Sequence, residues 1–185
     1  MSERLEKVLA EIDRFNRDDP KQYELPYSQW LTDWVKRLEP NPSEELLIVA
    51  RGQHVGRWQI PRDSFPDDRK GYLAWREKLK SFHAEKVAGF MRAAGYPPES
   101  IAQAERIILK KNIRDPEAQV IEDALCLVFL EKQFTDLRQK EPEDKMIVIL
   151  QKSWRKMGEK GRAEALKLSY PPEEKALINK ALHAV

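Results

Sequence analysis

Apolar side chains recur every three or four positions along almost the whole chain, and no stretch sustains the every-second-residue alternation of a half-buried strand. The spacing predicts an all-α protein. Leu5, Val8, Leu9, Ile12 and Phe15 mark a first amphipathic helix, and Tyr27, Trp30, Leu31, Trp34, Val35 and Leu38 a second that Pro40 ends. Asn41, Pro42 and Glu44 read as an Asn-x-x-Glu helix start with Asn41 as N-cap, followed by an inward stripe of Leu46, Leu47, Ala50 and then His54. A long helix is expected from about Tyr72 to Ala94. It turns Tyr72, Trp75, Leu79, Phe82, Val87, Phe90 and Met91 inward with His83 among them, and Gly95 stops it.

The next helix opens near Pro97 and Pro98 and runs through Ile101, Ala104, Ile107 and Ile108 to Lys111, which continues its stripe. The segment at about 118–137 is apolar nearly all round between Ala124 and Leu130, which predicts a central helix that the other elements pack against. Asp123 falls on its Val120 and Leu127 side. A helix with Met146, Ile147, Ile149, Leu150, Trp154 and Met157 follows, then a short one bounded by glycine, then a last one from Pro171 or Pro172 to Leu182. The expected organisation is a single compact multi-helix domain over 1–185: an N-terminal helical pair (1–40), a core (41–138) and C-terminal helices (139–185).

Composition narrows the setting. The chain has 33 basic and 31 acidic side chains, so its charges coat the surface without the strong positive field of a DNA-wrapping protein. A single cysteine, Cys126, inside an apolar run rules out an internal disulfide and a cysteine-based zinc cluster, and a reducing cytoplasm is the expected location. No window approaches the roughly 18 apolar residues of a membrane span.

From Gly52 to Gly71 the helical pattern breaks, and the segment Arg51-Gly52-Gln53-His54-Val55-Gly56-Arg57-Trp58-Gln59-Ile60-Pro61-Arg62 is too rich in Arg, Gly and Trp for a plain connector. Trp58, Ile60 and Phe65 indicate that it packs onto something. His54 and His83 sit on inward stripes and Asp123, beside Glu122, on a third. Imidazole nitrogens and carboxylate oxygens on converging helices suit a divalent metal (Mn, Mg, Zn or Fe) with positions open to water. His54, His83 and Asp123 are therefore the candidate catalytic residues, and these three with Glu122 the candidate metal ligands.

Arg51, Arg57, Trp58, Arg62, Lys110 and Lys111 are the candidate substrate-binding residues. Arg offers phosphate a planar fork, Lys a mobile charge, and Trp58 a face for stacking. For each of these groups there is a plainer assignment: a histidine satisfying a buried partner, the basic side chains (Arg76 and Lys86 included) in internal salt bridges to Glu77, Glu85, Glu122 and Asp123, an indole plugging a core edge. No Gly-x-x-x-x-Gly-Lys-Ser/Thr loop, Gly-x-Gly-x-x-Gly turn or Gly-x-Ser-x-Gly elbow occurs, so P-loop kinases, dinucleotide-dependent dehydrogenases and α/β-hydrolases drop out.

Ala50 to Trp58, Pro61-Arg62, Gly71-Tyr72, Trp75-Arg76, Phe82-His83-Ala84 and Leu109-Lys110-Lys111 together resemble an uncharacterised bacterial and fungal family defined only as a domain of unknown function. More distantly, the order of elements is similar to that of the HD-type metal-dependent phosphohydrolases, all-α proteins whose His-Asp pair, further histidines and distal Asp hold metal. That resemblance implies an HD-like helical core. It puts His54 in the place of the pair's histidine, His83 in that of the histidine on the following helix, and Glu122-Asp123-Ala124-Leu125 in that of the distal acidic segment. Val55 stands where the pair's Asp belongs and Leu125 where a second distal acid belongs, while Lys110-Lys111 fills a stretch where those enzymes often have histidine. The implied site is a degraded metal centre in which Lys111 replaces a metal as the phosphate-binding cation.

The expected function is binding of a phosphorylated small molecule or nucleotide, with metal-assisted hydrolysis as its enzymatic form. The alternatives are a non-catalytic nucleotide- or RNA-binding module and a scaffold whose Arg and His residues serve internal pairs.

Overall fold

In a computed structural model, described here for residues 2–111 and 115–183, every regular element is helical. Several helices start where a short polar side chain accepts from a first-turn backbone amide, or where a proline has no such amide to leave unpaired. Helix α1 (Glu3–Arg17) is capped by Ser2, whose Oγ accepts from Leu5 N at 3.2 Å. Helix α2 spans Glu24–Leu38. Helix α3 (Glu44–Gly52) is capped by Ser43 rather than by Asn41, because Ser43 keeps an extended backbone and its Oγ closes on Leu46 N at 3.0 Å.

Helix α4 (Arg69–Ala93) starts three residues earlier than expected, since Asp68 caps it through Gly71 N. Its buried residues then step by fours from Gly71 through Trp75, Leu79, His83 and Val87 to Met91. Tyr72, expected inward, flanks that stripe and is 42% exposed. Helix α5 (Pro98–Ile108) takes a proline in its first turn.

Helices α6 (Pro116–Val128) and α7 (Phe134–Arg138) are joined by a π-helical turn over Phe129–Gln133, and α8 (Glu143–Lys156), α9 (Glu159–Lys167) and α10 (Pro172–His183) follow. The chain divides into two compact units, Met1–Ala118 and Gln119–Val185, with the division inside α6. In the first unit α3 is the hub, in contact with α1, α2, α4 and α5. That position explains its composition: Leu46, Leu47, Ile48, Val49 and Ala50 are consecutive and all buried, a helix enclosed on every side. In the second unit Ile121, Ala124, Leu127, Val128 and Phe134 along α6 and α7 are buried, and α8 pairs with α10. No helix among the described residues is long and apolar enough to cross a membrane.

Helices α4 and α5 end in the same way with different residues. After α4, Gly95 takes a left-handed φ of 79° while Gly95 N donates to Arg92 O and Tyr96 N to Met91 O. After α5, Lys110 takes φ 56° in the same pair of hydrogen bonds, Lys110 N to Ile107 O and Lys111 N to Arg106 O. The turn ends α5 three residues short of Lys111, which is exposed instead of continuing the apolar stripe. A side chain in the position that usually falls to glycine costs about 1–2 kcal/mol.

Candidate functional site

The ends of α1 and α3 and the start of α2 bring the site together in the first unit. Asp19 is buried, and its carboxylate accepts from the backbone amides of Lys21, Tyr23 and Glu24 at 2.8–3.0 Å. Burial alone would raise its pKa; the three N–H donors outweigh that and hold it below the usual range. The clasp sets the first turn of α2, with Glu24 at its start and Tyr27 one turn on. After α3 the chain turns back at Gly56, whose N–H reaches Asn16 Oδ1 at 3.4 Å. Gly56 has φ 68°, and a Cβ there would lie 2.7 Å from Phe15 and 3.0 Å from Phe82, so both backbone and space demand glycine.

The turn places His54 between Tyr27 and His83. The imidazole of His54 stacks on Tyr27 with ring centroids 4.3 Å apart and planes 12° from parallel, and the His83 ring centroid is 5.9 Å away. Nδ1 of His54 is 3.8 Å from Glu24 Oε2. His83 Nδ1 lies 2.9 Å from the Val55 carbonyl oxygen, and since a carbonyl only accepts, Nδ1 carries the hydrogen. Its Nε2 is therefore a bare acceptor, buried and without a partner among the described residues, as is Glu24 Oε2.

Burial sets the charge states here. It pulls His54 well below the ordinary imidazole value, helped by the positive charges of Arg57, Arg76 and Lys110 and by the His83 ring. It brings His83 down to about 4, and pushes Glu24 up to about 7 against the opposing pull of Arg57. Two neutral imidazoles thus sit beside a carboxyl poised near neutrality.

The arginines on this side are held by aromatic groups. The Arg57 guanidinium lies 4.7 Å from the Trp75 ring centroid, and Trp75 is itself fastened by its indole N–H to Ile60 O at 2.9 Å. Arg76 lies 6.0 Å from the Tyr72 ring and donates to Tyr72 Oη at 3.2 Å. Neither contact neutralises the charge.

The other residues singled out from the sequence are placed elsewhere. Arg51 pairs with Asp13 at 2.9 Å, both side chains 17% exposed, though its Nε–H is not aligned for a hydrogen bond. Arg62 staples its own loop, donating to Phe65 O and Pro66 O at 3.0 and 2.9 Å. Trp58 packs on Phe15 with centroids 5.6 Å apart. Lys111 points to solvent.

Asp123 belongs to the second unit, where its Oδ1 accepts from Gln119 Nε2 and Gly158 N, each at 2.8 Å. The backbone of Gly161 presses so close that a Cβ would sit 2.6 Å from Asp123 Cγ. Glu122, its neighbour on α6, is half-buried in the same unit. Among the described residues no group of three or more His, Cys, Asp or Glu side chains is close enough to hold a metal ion.

Glu24, Tyr27, Tyr72 and Trp75 were not among the expected site residues. Glu24 and Tyr27 are three apart, one helical turn, so a carboxylate sharing a stripe with Tyr27 was visible in the sequence. Its meeting with His54 was not. No curated protein and no solved structure matches the chain. One family does match, over residues 6–178, and with nearly the whole sequence covered the chain belongs to the family described as a domain of unknown function, DUF4202.

Proposed function

We propose that the first unit binds a phosphorylated small molecule, with Arg57, Arg76 and Lys110 meeting the phosphate beside the His54–His83 pair. The observation that carries this reading is how the cations are held. Arg57 and Arg76 rest against the rings of Trp75 and Tyr72, and with Lys110 their charge acts on His54, that of Arg57 also on Glu24, so this side of the unit offers positive charge to an anion. Of the substrate-binding candidates read from the sequence, Arg57 and Lys110 remain in this site. Arg51, Trp58 and Arg62 have the other contacts described above, and Lys111 is exposed. Arg76 joins from α4.

Turnover, where it occurs, has a proton-transfer pair in Glu24 and His54. A carboxyl with a pKa near 7 is suited to give or take a proton at neutral pH, and His54 Nδ1 is its nearest nitrogen base. This reading invokes no metal, because among the described residues no group of three or more His, Cys, Asp or Glu side chains is close enough to hold one. A distant kinship with the HD-type phosphohydrolases is compatible with the two histidines and belongs to the same proposal.

Thermal-shift and calorimetric titration with inorganic phosphate test the binding. Phosphate is expected to stabilise the wild-type chain and to lose its effect in the Arg57→Ala, Arg76→Ala double variant. An equal response in both, or none in the wild type, overturns the proposal. Assays of phosphate-ester hydrolysis with Mn²⁺, Mg²⁺, Zn²⁺ and no metal, repeated on Glu24→Gln, separate an enzyme from a binding module.

A further inference from the structure

The feature that the phosphate site leaves unused is the outer end of its aromatic support. Arg57, Trp75, Tyr72 and Arg76 form a row in which two adjacent rings are flanked by a guanidinium at each end. Arg57 lies on Trp75 at 4.7 Å, Trp75 and Tyr72 have centroids 5.9 Å apart with planes inclined 47°, and Arg76 returns to Tyr72. Trp75 is buried and fully engaged, whereas Tyr72 is 42% exposed and its neighbour Leu73 is 53% exposed.

Tyr72 is also orientated. Its hydroxyl accepts from Arg76 Nη1 at 3.2 Å, one turn along the same helix, which restrains the ring while leaving much of its surface to solvent. An aromatic surface restrained in this way, next to two guanidiniums, suits a ligand that is anionic at one end and flat at the other. Planar heterocycles stack on tyrosine with little demand on which base is present, and the contact is strongest when the ring does not have to be ordered on binding. Trp58, the aromatic that the sequence offered for this role, already packs on Phe15.

We propose that the ligand of this site is a nucleotide whose base stacks on the exposed ring of Tyr72 while its phosphate meets Arg57 and Arg76. The inference rests on the phosphate-binding reading and narrows it from phosphate esters in general to those carrying a planar base. It makes Tyr72 a specificity-determining residue.

The test compares inorganic phosphate, ribose 5-phosphate and AMP by calorimetry on the wild type, Tyr72→Ala and Tyr72→Phe. The expected result is that wild type binds AMP at least tenfold more tightly than ribose 5-phosphate, the range that one stacked base supplies. Tyr72→Ala should bring AMP and ribose 5-phosphate to within about twofold of each other, the loss of the Arg76 support acting on both ligands alike. Tyr72→Phe, which keeps the ring and loses the hydroxyl, should retain the preference for AMP. Equal wild-type affinity for AMP and ribose 5-phosphate overturns the base-stacking role and leaves the phosphate site standing. A preference for AMP that survives Tyr72→Ala overturns it too. If none of the three ligands binds the wild type, the phosphate reading fails and this inference with it. Because Tyr72 is exposed, unchanged far-ultraviolet circular dichroism and thermal midpoint are expected for both variants, and they separate loss of binding from loss of fold.

Discussion

Replacing His83 by Asn should remove a defined part of the acid sensitivity of the fold. Asn keeps an N–H donor near the position of Nδ1, where it can still reach the Val55 carbonyl, but it cannot be protonated. In the native chain His83 is 3% exposed and its pKa lies at about 4, burial being the main cause and the charge of Arg57 acting in the same direction. In the unfolded chain it takes the ordinary value near 6.5. Between those values the unfolded state binds the proton and the native state does not, so stability is complete above pH 6.5 and falls as the pH drops toward 4. The difference amounts to roughly 3 kcal/mol over that window, with a limiting slope of about 1.4 kcal/mol per pH unit.

Urea unfolding of the wild type and of His83→Asn at intervals from pH 4 to 7.5 measures this directly. The variant should be less stable at pH 7.5 because the smaller side chain leaves space, yet its stability should fall less steeply with acid, by up to one proton's worth of slope. The surface carboxylates titrate in both proteins and cancel in the comparison. Parallel curves for the two proteins would refute the argument that His83 is held neutral by the fold.

Glu24→Gln should change the opposite limb. The folded pKa of Glu24, about 7, is above its ordinary value, so the stability associated with it is present in acid and lost as the pH rises from about 4.5 through 7. Denaturation curves of the variant should lack that component, and a wild-type pH dependence retained between about 4.5 and 7 would count against it. Gly56→Ala should destabilise the first unit by about 2 kcal/mol or more, from the left-handed backbone and the contacts with Phe15 and Phe82, read as a lowered urea midpoint. Lys110→Gly should raise stability by about 1 kcal/mol while weakening phosphate binding, and the paired measurement fails if affinity is unchanged. Asp123→Ala should cost about 2–3 kcal/mol through the stranded Gly158 and Gln119 donors, with phosphate affinity retained by the folded variant.

The helices were legible because their cause is local. A stripe such as Leu5, Val8 and Ile12 needs only the 3.6-residue period to show which face is buried, and that face is buried in the fold. Helix boundaries were less so, since competing caps differ by small energies. Asn41 and Ser43 both offer an oxygen, and only the extended backbone at Ser43 decides between them. The same limit moved the start of α4 to Arg69, while Tyr72 is on the surface because it flanks the buried stripe that runs through Gly71, Trp75 and Leu79.

The candidate site divides along the same line. That His83 lies on a buried stripe follows from its spacing to Leu79 and Val87, whereas His54 lies in the turn beyond the end of α3 rather than on a helical stripe with Ala50, and the two rings come within 5.9 Å. Which charges surround them depends on contacts between segments far apart in the chain, which no periodicity encodes. Glu24 reaches His54 across thirty positions because Asp19 clasps the start of α2, and Arg51 pairs with Asp13 because α1 lies against α3. Side-chain period and composition decide which residues are helical and which are inward. Whether an inward cation meets a carboxylate, an aromatic face or a ligand is decided by long-range packing, because charge interactions depend on distances that only the assembled helices set.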